Sequence, residues 1–267
     1  MSDASQRLAL TDRVAVVTGG ATGIGRATAL LLAEQGAQVF VGDYDPVVSN
    51  ADEFTHLGIT ELNCDVRRET DVKSLIEQAV RDGGGLDILV NNAGIAMVKP
   101  ITDVTEAEWD ACLDTNLKGA FLTTKHAIPH MRVRGGGSIV NMASNAGILP
   151  RAHDPVYSTS KGALVAFTKS IALSHSIDRI RVNAVCPGPV GDTRMMNADL
   201  DKAVDREATI KQFIAASPIA RVAQRMISPR EVAEAILYLV SDASAMVTGT
   251  CIAIDGGKSL GVPPSSD

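Results

Sequence analysis

The stretch from residue 13 to residue 43 constrains the fold more than any other part of the chain. RVAVVT at 13–18 is a short β-branched run that meets glycine at once, a strand delivered into a turn. GGATGIGRATALLLAEQG follows at 19–36, with Ile24, Ala27, Leu31 and Leu32 at helical spacing and Gly36 as a stop. QVFVG at 38–42 is a second strand and ends at Asp43. Strand, glycine turn, helix and strand in about thirty residues make a βαβ unit. Its crossover helix obliges the two strands to run parallel.

The alternation then repeats. Helical patterns at 47–57, 69–81, 106–132 and 156–176 separate strands at 59–64, 86–90, 138–142 and 180–185. A further amphipathic helix starts at Pro229, and a last strand at 251–254 is closed by Asp255, Gly256 and Gly257. Strand centres at Val14, Val39, Leu62, Ile88, Ile139, Val182 and Ile252 predict seven strands. Most are apolar runs of the kind buried on both faces. The expectation is an α/β chain of Rossmann type: a doubly wound, seven-stranded parallel sheet with helices on both faces. Crossovers should be right-handed. No linker divides the 267 residues, of which 45% are hydrophobic, so they read as a single domain. Between about 189 and 228 the periodicity weakens over too long a stretch for a connector, which predicts a substrate lid.

Gly19, Gly23 and Gly25 form GxxxGxG after the first strand. Glycines let a backbone approach a pyrophosphate, and the helix behind them presents unpaired N–H groups and its positive dipole end. Gly19, Thr22, Gly23, Ile24 and Gly25 are therefore candidates to hold a dinucleotide. Asp43, with Tyr44 beside it, ends the second strand where a carboxylate grips a ribose 2′-hydroxyl. A 2′-phosphate would be repelled there, and neither Ala21, Thr22 nor Tyr44 supplies a cation, so NAD is favoured over NADP. The other reading of Asp43 is a solvated acid at a strand end.

The chemistry concentrates at 144–161, SNAGILPRAHDPVYSTSK. Tyr157 and Lys161 stand four apart in a helical run, so they share a face. A phenol titrates near 10, and bringing it to pH 7 takes roughly 4 kcal/mol. A unit charge at about 4 Å and an effective dielectric near 20 supplies about that much. The pair predicts a tyrosine base whose pKa is lowered by the lysine, able to take a proton from an alcohol as hydride leaves. Ser144 could hydrogen-bond the same oxygen. Taken alone, the two side chains could equally be a surface tyrosine and a solvated lysine.

These motifs resemble the short-chain dehydrogenases/reductases. TGGATGIG at 18–25, Asp65 and Val66 after the third strand, NNAG at 91–94, Asn116, Ser144, YSTSK at 157–161 and Pro187-Gly188 fall in that family's order and spacing, from about residue 10 to 257. The resemblance implies that Tyr157 is the acid/base, that Lys161 lowers its pKa and holds the nicotinamide ribose, and that Ser144 binds the substrate oxygen. It implies that Asn116 holds a proton-relay water and that Asn92, Ala93 and Gly94 lie against the adenosine ribose. Asp65 and Val66 would meet the adenine, the Ile24 backbone the pyrophosphate, and Val190, beyond Pro187 and Gly188, the carboxamide. Asn92 and Asn116 could instead simply satisfy main-chain groups. PGPVGDT sets Thr193 one place later than the family pattern, and about four extra residues stand at 225–228. The family further implies a homotetramer or homodimer through the helices at 106–132 and 156–176.

Ligands of open α/β sheets sit outside the carboxyl ends of the strands. There 95–98, 145–154 and 189–217 should meet, with Ser144, Asn145, Arg151, His153, Tyr157 and Met195 as substrate-side candidates. Arg151 and His153 could equally face solvent. No histidine, cysteine or carboxylate cluster has ligand spacing, so metal-independent chemistry is expected. A net charge of −6 without a basic run argues against nucleic-acid or anionic-membrane partners. An N-terminus without an apolar signal segment predicts a cytoplasmic protein. The expected activity is NAD-dependent interconversion of a small secondary alcohol and its ketone. The alternatives are an NADPH-dependent ketone or 3-oxoacyl reductase, and a non-catalytic nucleotide sensor or scaffold.

Overall fold

The computed structural model describes residues 3–45, 51–149 and 151–261. Seven strands pair in parallel in the order β3-β2-β1-β4-β5-β6-β7. They are β1 (Val14–Thr18), β2 (Gln38–Asp43), β3 (Thr60–Asn63), β4 (Ile88–Asn91), β5 (Gly137–Met142), β6 (Ile180–Pro187) and β7 (Cys251–Ile254). The order reverses between β1 and β4, which opens a crevice at their carboxyl ends.

Helices α1 (Asp3–Leu8), α2 (Gly23–Glu34), α3 (Ala51–His56), α4 (Glu69–Gly83), α5 (Glu106–Leu113), α6 (Gly119–Arg134) and α7 (Pro155–Ser174) alternate with the first strands. Residues 47–50 of the expected third helix lie outside the described residues. Successive strand residues point to opposite faces, and each face has its own core. Val17, Val39, Val41, Val90 and Val140 pack under α2 and the later helix α11 (Pro229–Val240). Val16, Phe40, Leu89, Ile139 and Val182 pack under α4 and α6. Each such side chain contributes roughly 1.5–3 kcal/mol on burial, so the sheet is held from both sides, as apolar runs require.

Two regions differ from expectation. The run at 106–132 is not one helix: a π-helical turn at Asp114–Lys118 separates α5 from α6. Such a turn widens the i→i+4 ladder by one residue, and here it brings Asn116 inward, 1% exposed. The stretch expected to be irregular holds three short helices, α8 (Arg194–Leu200), α9 (Arg206–Ala215) and α10 (Pro218–Ala223). None of the side chains of α9 is buried, so no apolar stripe marked it in sequence.

The added residues near 225–228 have a definite place. Ile227 bridges to Val190 in parallel fashion, and the Gly191 N–H donates to its carbonyl at 2.9 Å. Arg225 grips Glu231 at 2.7 and 2.8 Å, and Ser228 and Glu231 cap α11 reciprocally. The segment following β6 is thereby tied to the start of α11.

Candidate active site

The glycine turn sits at the carboxyl end of β1. Gly19 and Gly23 have φ of +62° and +55°, in the left-handed region. Gly25 is required by closeness: a Cβ there would stand 2.1 Å from the Gly19 carbonyl oxygen. Thr22 precedes α2 without a side-chain cap, so Thr22 leaves first-turn N–H groups free of a local acceptor. The turn is thus a cradle of backbone donors at a helix N-terminus, with the Ile24 backbone in its first turn. These residues fit a pyrophosphate.

Asn92 donates from Nδ2 to the carbonyls of Thr18 and Gly19 at 3.0 and 2.7 Å. The Thr18 hydroxyl accepts from the Asn92 and Ala93 N–H groups. Asn92 thus braces the turn through main-chain groups. Asp43 accepts from the Ala21 N–H at 2.9 Å and the Asp45 N–H at 3.1 Å, which holds its carboxylate at the crevice rim. Asp65 is gripped by Arg67 at 2.7–3.1 Å, and that hydrogen bonding keeps its carboxyl below the usual range. The Arg67 guanidinium lies 5.6 Å from the ring centre of exposed Tyr44. Val66 is buried against Gly119 of α6.

From β6, Pro187 and Gly188 lead to Val190 and Thr193. The Gly188 N–H donates to Ile254 at 3.0 Å. Thr193 caps α8 by accepting from the Met196 N–H, and its methyl carbon lies 3.2 Å from where a Gly23 Cβ would be. The shifted spacing therefore still sets Thr193 over the glycine turn.

Tyr157 lies in the first turn of α7, which begins with Pro155. Its phenol neighbours Ser144, which favours the charged form and whose Oγ accepts from the Ala146 N–H at 3.1 Å. Lys161 is 3% exposed, donates to the Met142 carbonyl at 2.8 Å, and holds its ammonium 5.7 Å from the Tyr157 ring centre. Asn116 Oδ1 accepts from the Ile95 N–H at 2.8 Å, while its Nδ2 donates to the Ile95 carbonyl and the Ser160 hydroxyl at 3.0 Å. Asn116 Oδ1 and Lys161 Nζ both border Gly94, at 3.2 and 3.3 Å from an added Cβ.

Burial opposes the charge effect expected of the lysine. Burial raises the Tyr157 phenol above its ordinary value; the Ser144 hydrogen bond and the Arg151 charge offset this only in part. Burial also lowers Lys161 to about 8. Desolvation disfavours both charged forms, and helical spacing carries no information about it.

On the substrate side Asn145 is 3% exposed, and its Nδ2 has no hydrogen-bond partner. Arg151 pairs with buried Asp154 at 2.9 Å, whereas His153 and Met195 are exposed. Among the described residues no group of three or more histidine, cysteine or acidic side chains could hold a metal.

Several supporting residues escaped the sequence argument. Asn91 donates to Asn141 at 2.9 Å, accepts from Thr123, and Asn141 donates to Thr168 at 2.9 Å, a buried polar chain from α6 across β4 and β5 to α7. Asparagines inside otherwise apolar strands were the available signal.

The comparisons agree with this geometry. A family model described as enoyl-(acyl carrier protein) reductase matches residues 19–259. The chain is 40% identical to cis-4-hydroxycyclohexanecarboxylate dehydrogenase of Sinomonas cyclohexanicum, over 93% of this chain and 97% of that one. It is 37% identical to 4-formylbenzenesulfonate dehydrogenase of Comamonas testosteroni, over 94% and 99%. A crystal structure of a short-chain type dehydrogenase/reductase from Mycobacterium marinum superposes with a TM-score of 0.86 at 35% identity, covering 95% and 98%. The sheet order, the glycine turn and matches spanning nearly every residue together make the chain an oxidoreductase of the short-chain dehydrogenase/reductase family.

Proposed function

We propose that the protein is an NAD-dependent dehydrogenase interconverting a small secondary alcohol and its ketone, with Tyr157 as general acid/base. The observation that carries this reading is the grouping of buried Ser144 and Lys161 with half-buried Tyr157 at the carboxyl edge of the sheet, beside the uncapped glycine turn. A bound nicotinamide would supply the hydride acceptor and, oxidised, a positive charge near the phenol. Ser144 and Tyr157 receive the substrate hydroxyl, Tyr157 takes its proton, and Lys161, cationic at neutral pH, favours the phenolate. Asn116 and Lys161 border the space through which that proton returns to solvent.

Asp43 supports NAD. Its carboxylate is held in place by two backbone N–H groups where a 2′-phosphate would stand. Two relatives are named for ring compounds bearing an acid group, which supports a small ring substrate here. Residues 189–228 form the lid in this reading, and a cytoplasmic location belongs to it. So does self-association: Trp109 and Phe121 are 40% and 45% exposed, and Leu113, Leu117, Phe121 and Phe167 line one open depression. A second copy of the chain is the occupant we propose for it.

A second reading, ketone reduction with NADPH, is favoured by the raised phenol, which makes the free protein a ready acid, and by the reductase description of the matching family model. Absorbance at 340 nm, followed with NAD and NADP against cyclic, sugar, steroid and acyclic secondary alcohols, tests both. NAD-dependent turnover that falls by about 10²–10⁴-fold in Tyr157→Phe is expected. Tighter binding of NADPH than NADH would overturn the NAD assignment, and unchanged activity in Tyr157→Phe would overturn the site.

A further inference from the structure

Lys258 opens a short turn just past β7, at the same carboxyl edge that carries Ser144 and Gly188. It is half-buried, yet among the described residues its ammonium makes no ion pair and no hydrogen bond. The nearby Asp255 accepts from the Gly257 and Ser259 N–H groups at 2.9 and 2.8 Å, and its charge acts on Lys258 without a direct contact. Those bonds fix the turn, and the Ile219 N–H donating to Gly256 at 3.0 Å adds the lid as a support. Lys258 therefore projects from a braced backbone.

Its surroundings are those of the substrate side. The charges of Arg151 and Asp154 are felt both by Lys258 and by the Tyr157 phenol. Arg151 and Asp154 neutralise each other at 2.9 Å, and Arg151 keeps 37% of its side chain exposed. Asp199 of α8 also feels the Arg151 charge, and burial raises its carboxyl above the ordinary value. Lys258 feels the charges of Asp255 and Asp154, yet no carboxylate stands in direct contact with its ammonium. Ser217, packed against Gly256, adds a buried hydroxyl without a partner. A half-buried ammonium with unused donors loses hydration without repayment until an anion arrives.

We propose that Lys258, backed by Arg151, is a carboxylate-binding subsite, so that the substrate is a hydroxy acid held with its carbinol carbon at Tyr157 and its acid group at Lys258. This deepens the dehydrogenase reading and rests on it for the identity of the reacting carbon. Ring compounds are suited because they hold the two groups apart at fixed distance.

The test compares 4-hydroxycyclohexanecarboxylate with its neutral methyl ester in the wild type, Lys258→Met and Lys258→Arg. Wild type should prefer the acid. In Lys258→Met the acid-to-ester ratio of kcat/KM should fall by about 10- to 100-fold, through KM, as expected for loss of one charge-assisted contact. Lys258→Arg should keep most of the ratio. Calorimetry of cyclohexanecarboxylate with the NAD-loaded protein gives a readout independent of turnover, and that binding should be lost in Lys258→Met. Oxidation of the ester without preference for the acid, or a ratio unmoved by Lys258→Met, overturns the subsite and leaves the dehydrogenase standing. Binding of cyclohexanecarboxylate through Lys258 without oxidation of either compound supports the subsite and overturns the dehydrogenase reading.

Discussion

Lys161 shows how burial redirects a residue that the primary structure marks plainly. Its single hydrogen bond to Met142 does not replace the water it loses, and its pKa falls from the usual 10.5 to about 8. The sign follows: between about pH 8 and 10.5 the unfolded chain holds this proton while the folded chain releases it. Stability therefore rises with pH across that window, and the cost of the buried charge is fully present below pH 8. Lys161→Met is expected to raise the melting temperature at pH 7 by about 2–4 °C while lowering turnover by about 10²–10⁴-fold. Calorimetry beside an activity assay checks this, and a fall in melting temperature would mean that the Met142 hydrogen bond outweighs desolvation. The YxxxK spacing revealed the pairing of Tyr157 with Lys161. It could not reveal that Lys161 is buried and Tyr157 half-buried, so that desolvation opposes the charge effect at both.

At the scale of elements, a few polar side chains hold apolar pieces in register. Asp87, 4% exposed just before β4, accepts from the Val14 N–H at 2.9 Å and from two nitrogens of Arg134 at 3.1 Å. It ties β1 and β4 to the end of α6 at the sheet edge opposite the crevice. Arg134 keeps 35% of its side chain exposed and is rehydrated when its partner is removed, whereas the buried Val14 N–H is left without an acceptor. Asp87→Ala should therefore lower the unfolding free energy by about 1–3 kcal/mol, measured by urea titration. A loss below 1 kcal/mol would show that the edge is held by packing alone. The strands and most helices were legible because their apolar residues recur at period 2 or 3.6. The π-helical turn was not, since inserting one residue leaves the apolar pattern on either side unchanged. The helices α8 and α9 were hidden for a different reason: short and poorly buried, they are stabilised by caps such as Thr193 and Asp205 rather than by an apolar stripe.

For the whole molecule, the doubly wound sheet gathers residues from most of the chain at one edge. Asp43 ends one strand, and Asn92, Ser144, Gly188 and Lys258 follow four others. On the outer side, Trp109 and Phe121 leave apolar surface in water next to the open depression. Sedimentation at micromolar concentration should give a dimer or tetramer, and Phe121→Glu should shift it toward monomer. A wild-type monomer at that concentration would refute self-association through these helices.

The local order of the chain was written in the primary structure. Strand and helix periods, glycine placement and the YxxxK spacing depend only on neighbours, so fold class, family and the serine, tyrosine and lysine group could be read directly. What depends on groups distant in the chain was decided by tertiary structure: the raised phenol, the inward turn at Asn116, and the pinning of Val190 by Ile227. The isolation of Lys258 beside Arg151 belongs there too. Burial and charge compensation are sums over all neighbours in space, and those neighbours exist only once the sheet has closed them together.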